Sequence, residues 1–329
     1  MSKPRIAFVT GGYSGEAVIS YASAITIQQN VDVSKFDVYR IDITKDSWFH
    51  KIADNNIVLV DKNDFSLTIQ GEKVLFDGVL IGIHGTPGED GKLQGYFDML
   101  DIPYTSCDAS SSAVTFNKKY TIAIAAAGGI NTAKSIVMFQ HSALPAASIL
   151  QKLTLPLFVK PNNGGSSIGM SKVNKPEELD LAITKAFKED NQILLEEFIN
   201  GREFTIGIYR KNGEIIPLPF TEIITEKEFF DYDAKYNGMS KEITPANCDD
   251  ELTNLVQQTA SKLYELFNCK GVIRIDFIYN ENSGKLFLLE INTVPGQSAA
   301  SIVPQQVRAS GMDLMSFYTS LIEEILPKQ

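Results

Sequence analysis

A chain of 329 residues with 44% hydrophobic and 21% charged residues has a globular composition and enough length for two or three domains. Its formal net charge is −10 and its basic residues form no long run, which argues against a nucleic-acid partner. Three cysteines without C-x-x-C spacing, and only three histidines, argue against a disulfide frame, a thiolate zinc site or a multi-histidine metal centre.

The opening MSKPRIAFVTGG runs straight into a strand and lacks the apolar core of a signal peptide. No apolar run approaches the length of a membrane span. The expectation is a cytoplasmic protein with no membrane partner. RIAFVT (5–10) reads as a buried strand, GGYSGE as a glycine turn, and Val18, Ala22, Ile25 and Ile27 as a helical pattern, the opening of an α/β layer. The turn lacks the third glycine of G-x-G-x-x-G, so dinucleotide binding is disfavoured. It presents Ser14 and Glu16 at the carboxyl edge of the sheet; alternatively, Glu16 only complements the dipole of the helix it starts. FDVYRIDI (36–43) and IVLV (57–60) are further strands, and GVLIGIHG (78–85) is continuously apolar, as in a parallel sheet covered on both faces. It ends in HGTPGEDGKLQG, a glycine loop placed where α/β sheets bind ligands. His84 there is either a satisfied core histidine or a site contact. IPYTS (102–106) is read as the last strand of this unit.

SSAVTFNKKYTIAIAAAGG (111–129) is read as one helix carrying Lys118 and Lys119, stopped by glycine. In LPLFVKPNNGGSSIGMSKV (155–173), Lys160 ends a strand before a glycine- and serine-rich hairpin. Such a hairpin clamps phosphate with backbone N–H groups and the lysine charge, although its residues also suit a plain flexible turn. It is not a Walker A loop, because G-K-[ST] is absent. KPEELDLAITKAF (175–187) is an amphipathic helix. ILLEEF sits between layers, with backbone able to pair with an adenine edge and Glu196 able to accept from ribose or adenine. EFTIGIYR and IIPLPFTEII (215–224) pair across Asn212–Gly213. Residues 225–246 are polar and aromatic without clear periodicity, as expected of a lid. Helices follow at 249–267 and 311–325.

The chemistry concentrates in two strands, GVIRIDFIY (271–279) and KLFLLEIN (285–292). Alternation puts Ile273, Ile275, Phe277, Tyr279, Phe287, Leu289 and Ile291 on the core face. Arg274, Asp276, Glu290 and Asn292 then share the other face, with Val272, Ile278, Leu286 and Leu288 beside them as signs that this face is covered. Two carboxylates and an amide oxygen form a hard-oxygen site suited to Mg²⁺, and Arg274 can receive an anionic oxygen. A salt-bridged hairpin with a solvated face is the alternative.

GGYSGE, HGTPGEDGKLQG, VKPNNGGSSIGM, EEFINGREF, YDAKY, RIDF and LLEINTVPGQSAASIVP occur in this order across nearly the whole chain. Together they resemble the D-alanine–D-alanine ligase family of the ATP-grasp superfamily. The resemblance implies an α/β fold: an N-terminal Rossmann-like parallel sheet (1–107), a small central ATP-grasp subdomain (108–195) and a C-terminal subdomain (196–329) with lid 225–246. It implies ATP, two Mg²⁺ or Mn²⁺ ions on Asp276, Glu290 and Asn292, a homodimer, and an acyl-phosphate intermediate. By the same resemblance Glu16 holds the first substrate's ammonium, with His84 nearby. Lys118, Lys160, Ser167 and Lys235 meet the nucleotide phosphates, while Glu196, Glu197, Ile199 and Glu203 meet adenine and ribose. Arg274 and the Gly296 N–H stabilise the tetrahedral oxyanion, and Ser301 and Ile302 bind the second carboxylate. Ser166 and Tyr236 link to Glu16. The chain departs from the family pattern at Ala17–Val18, Asn117, Ile122, Asn163–Gly164, Gln297 and Ile302, which bears on the second substrate; D-alanine–D-serine ligation is the alternative.

Overall fold

The computed structural model describes residues 2–53, 56–165, 168–225 and 240–327. The chain opens with β1 (Arg5–Gly11), α1 (Ala17–Asn30), β2 (Asp37–Ile43), β3 (Trp48–Ala53), β4 (Asn56–Leu59), a small hairpin of β5 (Leu67–Ile69) and β6 (Glu72–Val74), then β7 (Gly78–Ile81) and α2 (Lys92–Met99). The first sheet runs β4-β3-β2-β1-β7; β1 is parallel to both β2 and β7, while β3 and β4 are antiparallel. The centre of β1, Ile6–Val9, is apolar and fully buried because both faces are covered. Ile6 and Phe8 pack with α1 and the C-terminal helices, whereas Ala7 and Val9 pack with an aromatic cluster around Phe65 and Phe97. The stretch 102–106 is less than a strand: it makes one parallel bridge, Val79 to Tyr104. Pro103 has no N–H to extend the ladder.

The helix expected over 111–129 is two helices, α3 (Ala109–Phe116) and α4 (Lys118–Ala127). Asn117 breaks it with extended backbone, and its side chain accepts the Tyr120 N–H at 3.1 Å, the alternative partner that asparagine offers a helix. The break turns the first residue of α4, Lys118, toward the glycine hairpin, where its N–H donates to Asn162 O. Next come β8 (Asn131–Thr132), β9 (Ser135–Phe139), α5 (Ala146–Leu150), β10 (Leu157–Pro161), β11 (Ser171–Val173), α6 (Leu179–Ala186) and β12 (Gln192–Glu197). β11-β10-β12-β9 form an antiparallel sheet.

The remaining elements are β13 (Arg202–Lys211), β14 (Glu214–Pro217), β15 (Thr221–Thr225), β16 (Ser240–Ile243), α7 (Asp250–Leu266), β17 (Val272–Asn280), β18 (Lys285–Asn292), α8 (Ile302–Ala309) and α9 (Leu314–Ile325). The third sheet runs β16-β15-β13-β17-β18-β8, with β14 also on β13. Asn212 and Gly213 both have positive φ, the two-residue turn that matches strand twist. Of the stretch expected as a lid, 240–243 is strand; residues 226–239 lie outside the described residues. No helix among the described residues is long and apolar enough to cross a membrane.

One irregularity decides the site. Asp276 pairs with Glu290 and Phe277 with Leu288, so Leu289 is an extra residue, a β-bulge. The bulge reverses the parity of β18 before it. Leu286 and Leu288, expected on the site face, pack in the core with Ile273, Ile275, Phe277 and Ile291. Phe287 and Leu289, expected in the core, are only half-buried. The four polar residues still share a face, because Arg274 pairs with Asn292 and Asp276 with Glu290 on the near side of the bulge.

Gly271, which leads into β17, has φ +63, and a Cβ there would collide with Thr105 O. Gly271→Ala is therefore expected to cost about 2–4 kcal/mol in chemical denaturation, from backbone strain plus overpacking. A loss below about 0.5 kcal/mol would contradict this packing.

Candidate active site

Two cavities, of about 860 and 360 Å³, lie between the three sheets. They share the residues that sequence spacing singled out: Glu16, Lys118, Gly164, Gly165, Asp276 and Glu290 line both. The larger cavity is bounded by Lys160, Glu196, Ile199, Glu203, Phe158 and Leu289. The smaller is bounded by His84, Arg274, Asn292, Gly296, Ser301 and Ile302. Leu289 reaches the larger cavity because the bulge turns it out of the core.

At the shared wall, Asp276 is buried and fully engaged. Arg274 donates to it twice, Nε to Oδ1 at 2.9 Å and Nη2 to Oδ2 at 2.8 Å. Thr205 on β13 donates to Oδ1 at 2.5 Å, and Asn292 Nδ2 to Oδ2 at 3.3 Å. Arg274 and Asp276 meet because i and i+2 of a strand share a face. Directly across the ladder, Glu290 Oε2 lies 3.9 Å from Lys118 Nζ, which donates to Gly164 O at 2.6 Å. A buried carboxylate needs compensation by donors, cations or a metal. Asp276, Glu290 and the Asn292 amide oxygen are hard-oxygen groups of the kind that suit a magnesium ion.

In the larger cavity Lys160 Nζ donates to Glu196 Oε1 at 2.9 Å, an ion pair between β10 and β12 with both side chains largely buried. Ile199 and Glu203 line the same cavity, whereas Glu197 is not among its lining residues. The Glu197 side chain accepts the Thr154 N–H at 2.9 Å, and its own N–H donates to Lys134 O. Ser301 stands at the N-cap position of α8 without capping it, its Oγ accepting the Ser298 N–H at 3.0 Å instead, so it and the Ile302 N–H sit at a helix N-terminus suited to a carboxylate. Glu16 starts α1 and its carboxylate passes between two glycines. A Cβ at Gly165 would come within 2.7 Å of Oε1, and one at Gly85 would collide with Oε2. Ser166, Ser167, Lys235 and Tyr236 lie outside the described residues.

His84 is buried with both ring nitrogens engaged: Nδ1 meets Val294 O at 2.6 Å and Nε2 meets Ser23 Oγ at 2.9 Å. A carbonyl only accepts, so Nδ1 carries the proton and Nε2 accepts from the hydroxyl. Burial first, then the charge of Arg274, holds the imidazole pKa down to about 4 against the pull of its bond to Val294 O. Glu89 was not singled out from the sequence. It accepts the Gly85 N–H at 2.7 Å and the Val294 N–H at 3.2 Å, and it lines the smaller cavity. Burial and then the neighbouring Glu16 charge push its carboxyl up to about 8. Thr205 was missed as well. No periodicity marks a residue whose partner lies 71 positions away.

Residues 5–107 match the family model for the D-ala D-ala ligase N-terminus, and residues 124–326 match that for the C-terminus. The chain belongs to the D-alanine–D-alanine ligase family. It is 45% identical to the D-alanine–D-alanine ligase of Flavobacterium johnsoniae, covering 97% of this chain and 98% of the relative. It is 44% identical to that of Bacteroides fragilis, covering 98% and 99%. Among solved structures it is similar to VanG D-Ala:D-Ser ligase from Enterococcus faecalis, with a TM-score of 0.88, 31% identity and coverage of 99% and 100%. It is also similar to D-alanyl-alanine synthetase A from Vibrio cholerae, with a TM-score of 0.87, 28% identity and coverage of 99% and 99%. The ATP-grasp fold of this family accounts for the three-sheet arrangement, and membership implies the use of ATP.

The His84 environment has a pH consequence. The imidazole is neutral when folded down to about pH 4, whereas in the unfolded chain it protonates near its ordinary value. Stability present above about pH 6.5 is therefore lost as the pH falls toward 4, by about 3 kcal/mol in all. A His84→Asn variant lacks the imidazole, so its difference from the wild type reports this titration. Urea denaturation of both across pH 7 to 4 is expected to show the wild type losing ground. A pH-independent difference would contradict the buried neutral imidazole.

Proposed function

We propose that this protein joins two molecules of D-alanine into D-alanyl-D-alanine for peptidoglycan precursor synthesis, converting ATP to ADP and phosphate. The observation that carries the reading is the wall shared by the two cavities. A nucleotide-sized space and a space suited to amino acids meet at Asp276, Glu290 and Lys118, as in-line transfer of a phosphoryl group to a carboxylate requires.

In the first step a carboxylate oxygen of one D-alanine attacks the γ-phosphorus. The bond to the bridging oxygen breaks, ADP departs and an acyl phosphate forms. Lys118 and Lys160 balance the phosphate charge, while Glu16 holds the ammonium of the first substrate. Asp276, Glu290 and Asn292 would hold the divalent ions, Mg²⁺ or Mn²⁺, whose chemistry is to offset phosphate charge during transfer. In the second step the free amine of the other D-alanine attacks the acyl carbon. Arg274 and the Gly296 N–H receive the oxyanion, the carbon–oxygen bond breaks, inorganic phosphate leaves and the nitrogen loses a proton. Ser301 and the Ile302 N–H take the second carboxylate. Ile199 and Glu203 bound the nucleotide base and ribose, with Glu196 held ready by Lys160. Ser167 and Lys235 also serve the nucleotide in this reading, with Glu197 contributing only through its backbone carbonyl, and Ser166 and Tyr236 serve the link to Glu16. A closed site protects the acyl phosphate from water until the amine arrives. We further propose three units, 1–107, 108–195 and 196–329, a homodimer, and a cytoplasmic location where ATP and amino acids are at hand.

The deciding experiment is a mass spectrum of the product made from ATP, Mg²⁺ and D-alanine, beside a D-alanine and D-serine mixture. D-alanyl-D-alanine as the dominant product is expected, and a dominant D-alanyl-D-serine would overturn the choice of second substrate. Glu290→Gln removes one carboxylate charge from the wall without removing core packing. It is expected to lower kcat about 100-fold or more while the thermal midpoint moves little. Wild-type turnover in that variant would refute the role given to Glu290.

A further inference from the structure

The segment Val294–Gln297, which carries Gly296, is held by side chains from the N-terminal part of the chain. Val294 O accepts the His84 Nδ1–H at 2.6 Å, and the Val294 N–H donates to Glu89 Oε1 at 3.2 Å. The Gln297 N–H donates to Ser23 Oγ at 3.0 Å. Pro295 has no N–H. Accounting for the backbone donors of these four residues therefore leaves one, that of Gly296, without a partner among the described residues. Gly296 lines the smaller cavity.

Every proton in this array has one consistent position. Val294 O can only accept, so His84 donates through Nδ1 and accepts through Nε2. The Ser23 hydroxyl must then donate to His84 at 2.9 Å while accepting from the Gln297 N–H. The far side of the segment is tied down too. Gln297 Nε2 donates to Pro295 O at 3.3 Å, and its Oε1 accepts the Tyr318 hydroxyl of α9 at 3.1 Å. Gln297 is the residue at which this chain departs from the methionine usual in the family pattern, and here its amide bridges segment and helix. On α1, Ser20 and Ser23 lie four and seven residues beyond Glu16 and so share its face. Ser20 Oγ accepts the His84 N–H at 2.9 Å, which locks the loop after β7 to the same helix.

We propose that Ser23, His84 and Glu89, with Tyr318 acting through Gln297, are positioning residues that clamp residues 294–297 and so aim the Gly296 N–H at the reacting carboxyl group. The inference deepens the ligase reading and rests on it. Its physical basis is the tolerance of an oxyanion donor: the N–H must lie within about 2.7–3.1 Å of the oxyanion, and a misplacement of about 1 Å costs on the order of 100-fold. A glycine peptide plane rotates easily unless both flanks are held. One helix thus sets both the carboxylate for the first substrate's ammonium and the donor for the oxyanion formed on that substrate.

The test is Ser23→Ala in the full chain, with Ser23→Thr as the variant that keeps the hydroxyl. Ser23→Ala is expected to lower kcat for dipeptide formation about 10-fold or more with the KM for ATP within about twofold. Amide hydrogen exchange across 294–297 should accelerate, and Ser23→Thr should restore both. Unchanged exchange and kcat in Ser23→Ala would overturn the clamp. So would a loss of kcat and nucleotide binding together that Ser23→Thr does not repair, since that marks a general folding role. Should Ser23→Ala not fold, Tyr318→Phe addresses the other end of the array. Faster exchange with a lower kcat supports the clamp, and wild-type values for both overturn it. A wild-type protein that makes no dipeptide, yet shows the exchange response to Ser23→Ala, would sink the ligase reading and leave the clamp standing.

Discussion

A carboxylate buried on the face of a sheet has to be compensated, and the compensation of Asp276 organises this molecule. Arg274, Thr205 and Asn292 all donate to it, from three adjacent strands. That network fixes β13, β17 and β18 against one another where the two cavities meet. It also holds Arg274 beside the smaller cavity instead of letting it swing into the larger one. The acids and the lysines reach the site from different elements: Asp276 and Glu290 lie on β17 and β18, while Lys118 and Lys160 approach from α4 and β10.

The same logic explains why the irregular features sit where they do. Asn117 interrupts a run that would otherwise be helical, and the interruption places Lys118 against Gly164 O and 3.9 Å from Glu290. The bulge at Leu289 interrupts β18, and the interruption sends one leucine into the larger cavity while keeping Glu290 opposite Asp276. Each defect in a regular element places one group that regular geometry would have placed elsewhere.

The N-terminal sheet contributes more than Glu16. Its loop after β7 reaches across to the segment after β18, with His84 on the carbonyl and Glu89 on the N–H of the same residue, Val294. Glu16 and Arg274 both line the smaller cavity, so it holds both signs of charge, as a zwitterionic amino acid requires. The buried, neutral His84 fits a holding role, since both of its nitrogens are engaged within the protein.

Much of this was legible in the sequence by itself, because the information is local. Alternation in GVIRIDFIY placed Arg274 and Asp276 on one face, and the glycine turns marked the ends of β1, β7 and β10. The Asn212–Gly213 hairpin and the capped helix after Asp249 follow from turn and capping chemistry within a few residues. The ordered motifs, read by resemblance, indicated the family. Long-range pairing was not legible. Whether α3 and α4 dock on β18, as they do, depends on contacts that no periodicity encodes. The bulge at Leu289 depends on how β18 registers with β17, and a one-residue slip is invisible in a strand that is apolar at both parities. The roles of Thr205, Glu89 and Ser23 rest on partners tens to hundreds of residues away. Local side-chain preferences specified the elements and their faces; only packing of the three sheets decided which atoms meet, since a hydrogen bond depends on distance in space and not on separation along the chain.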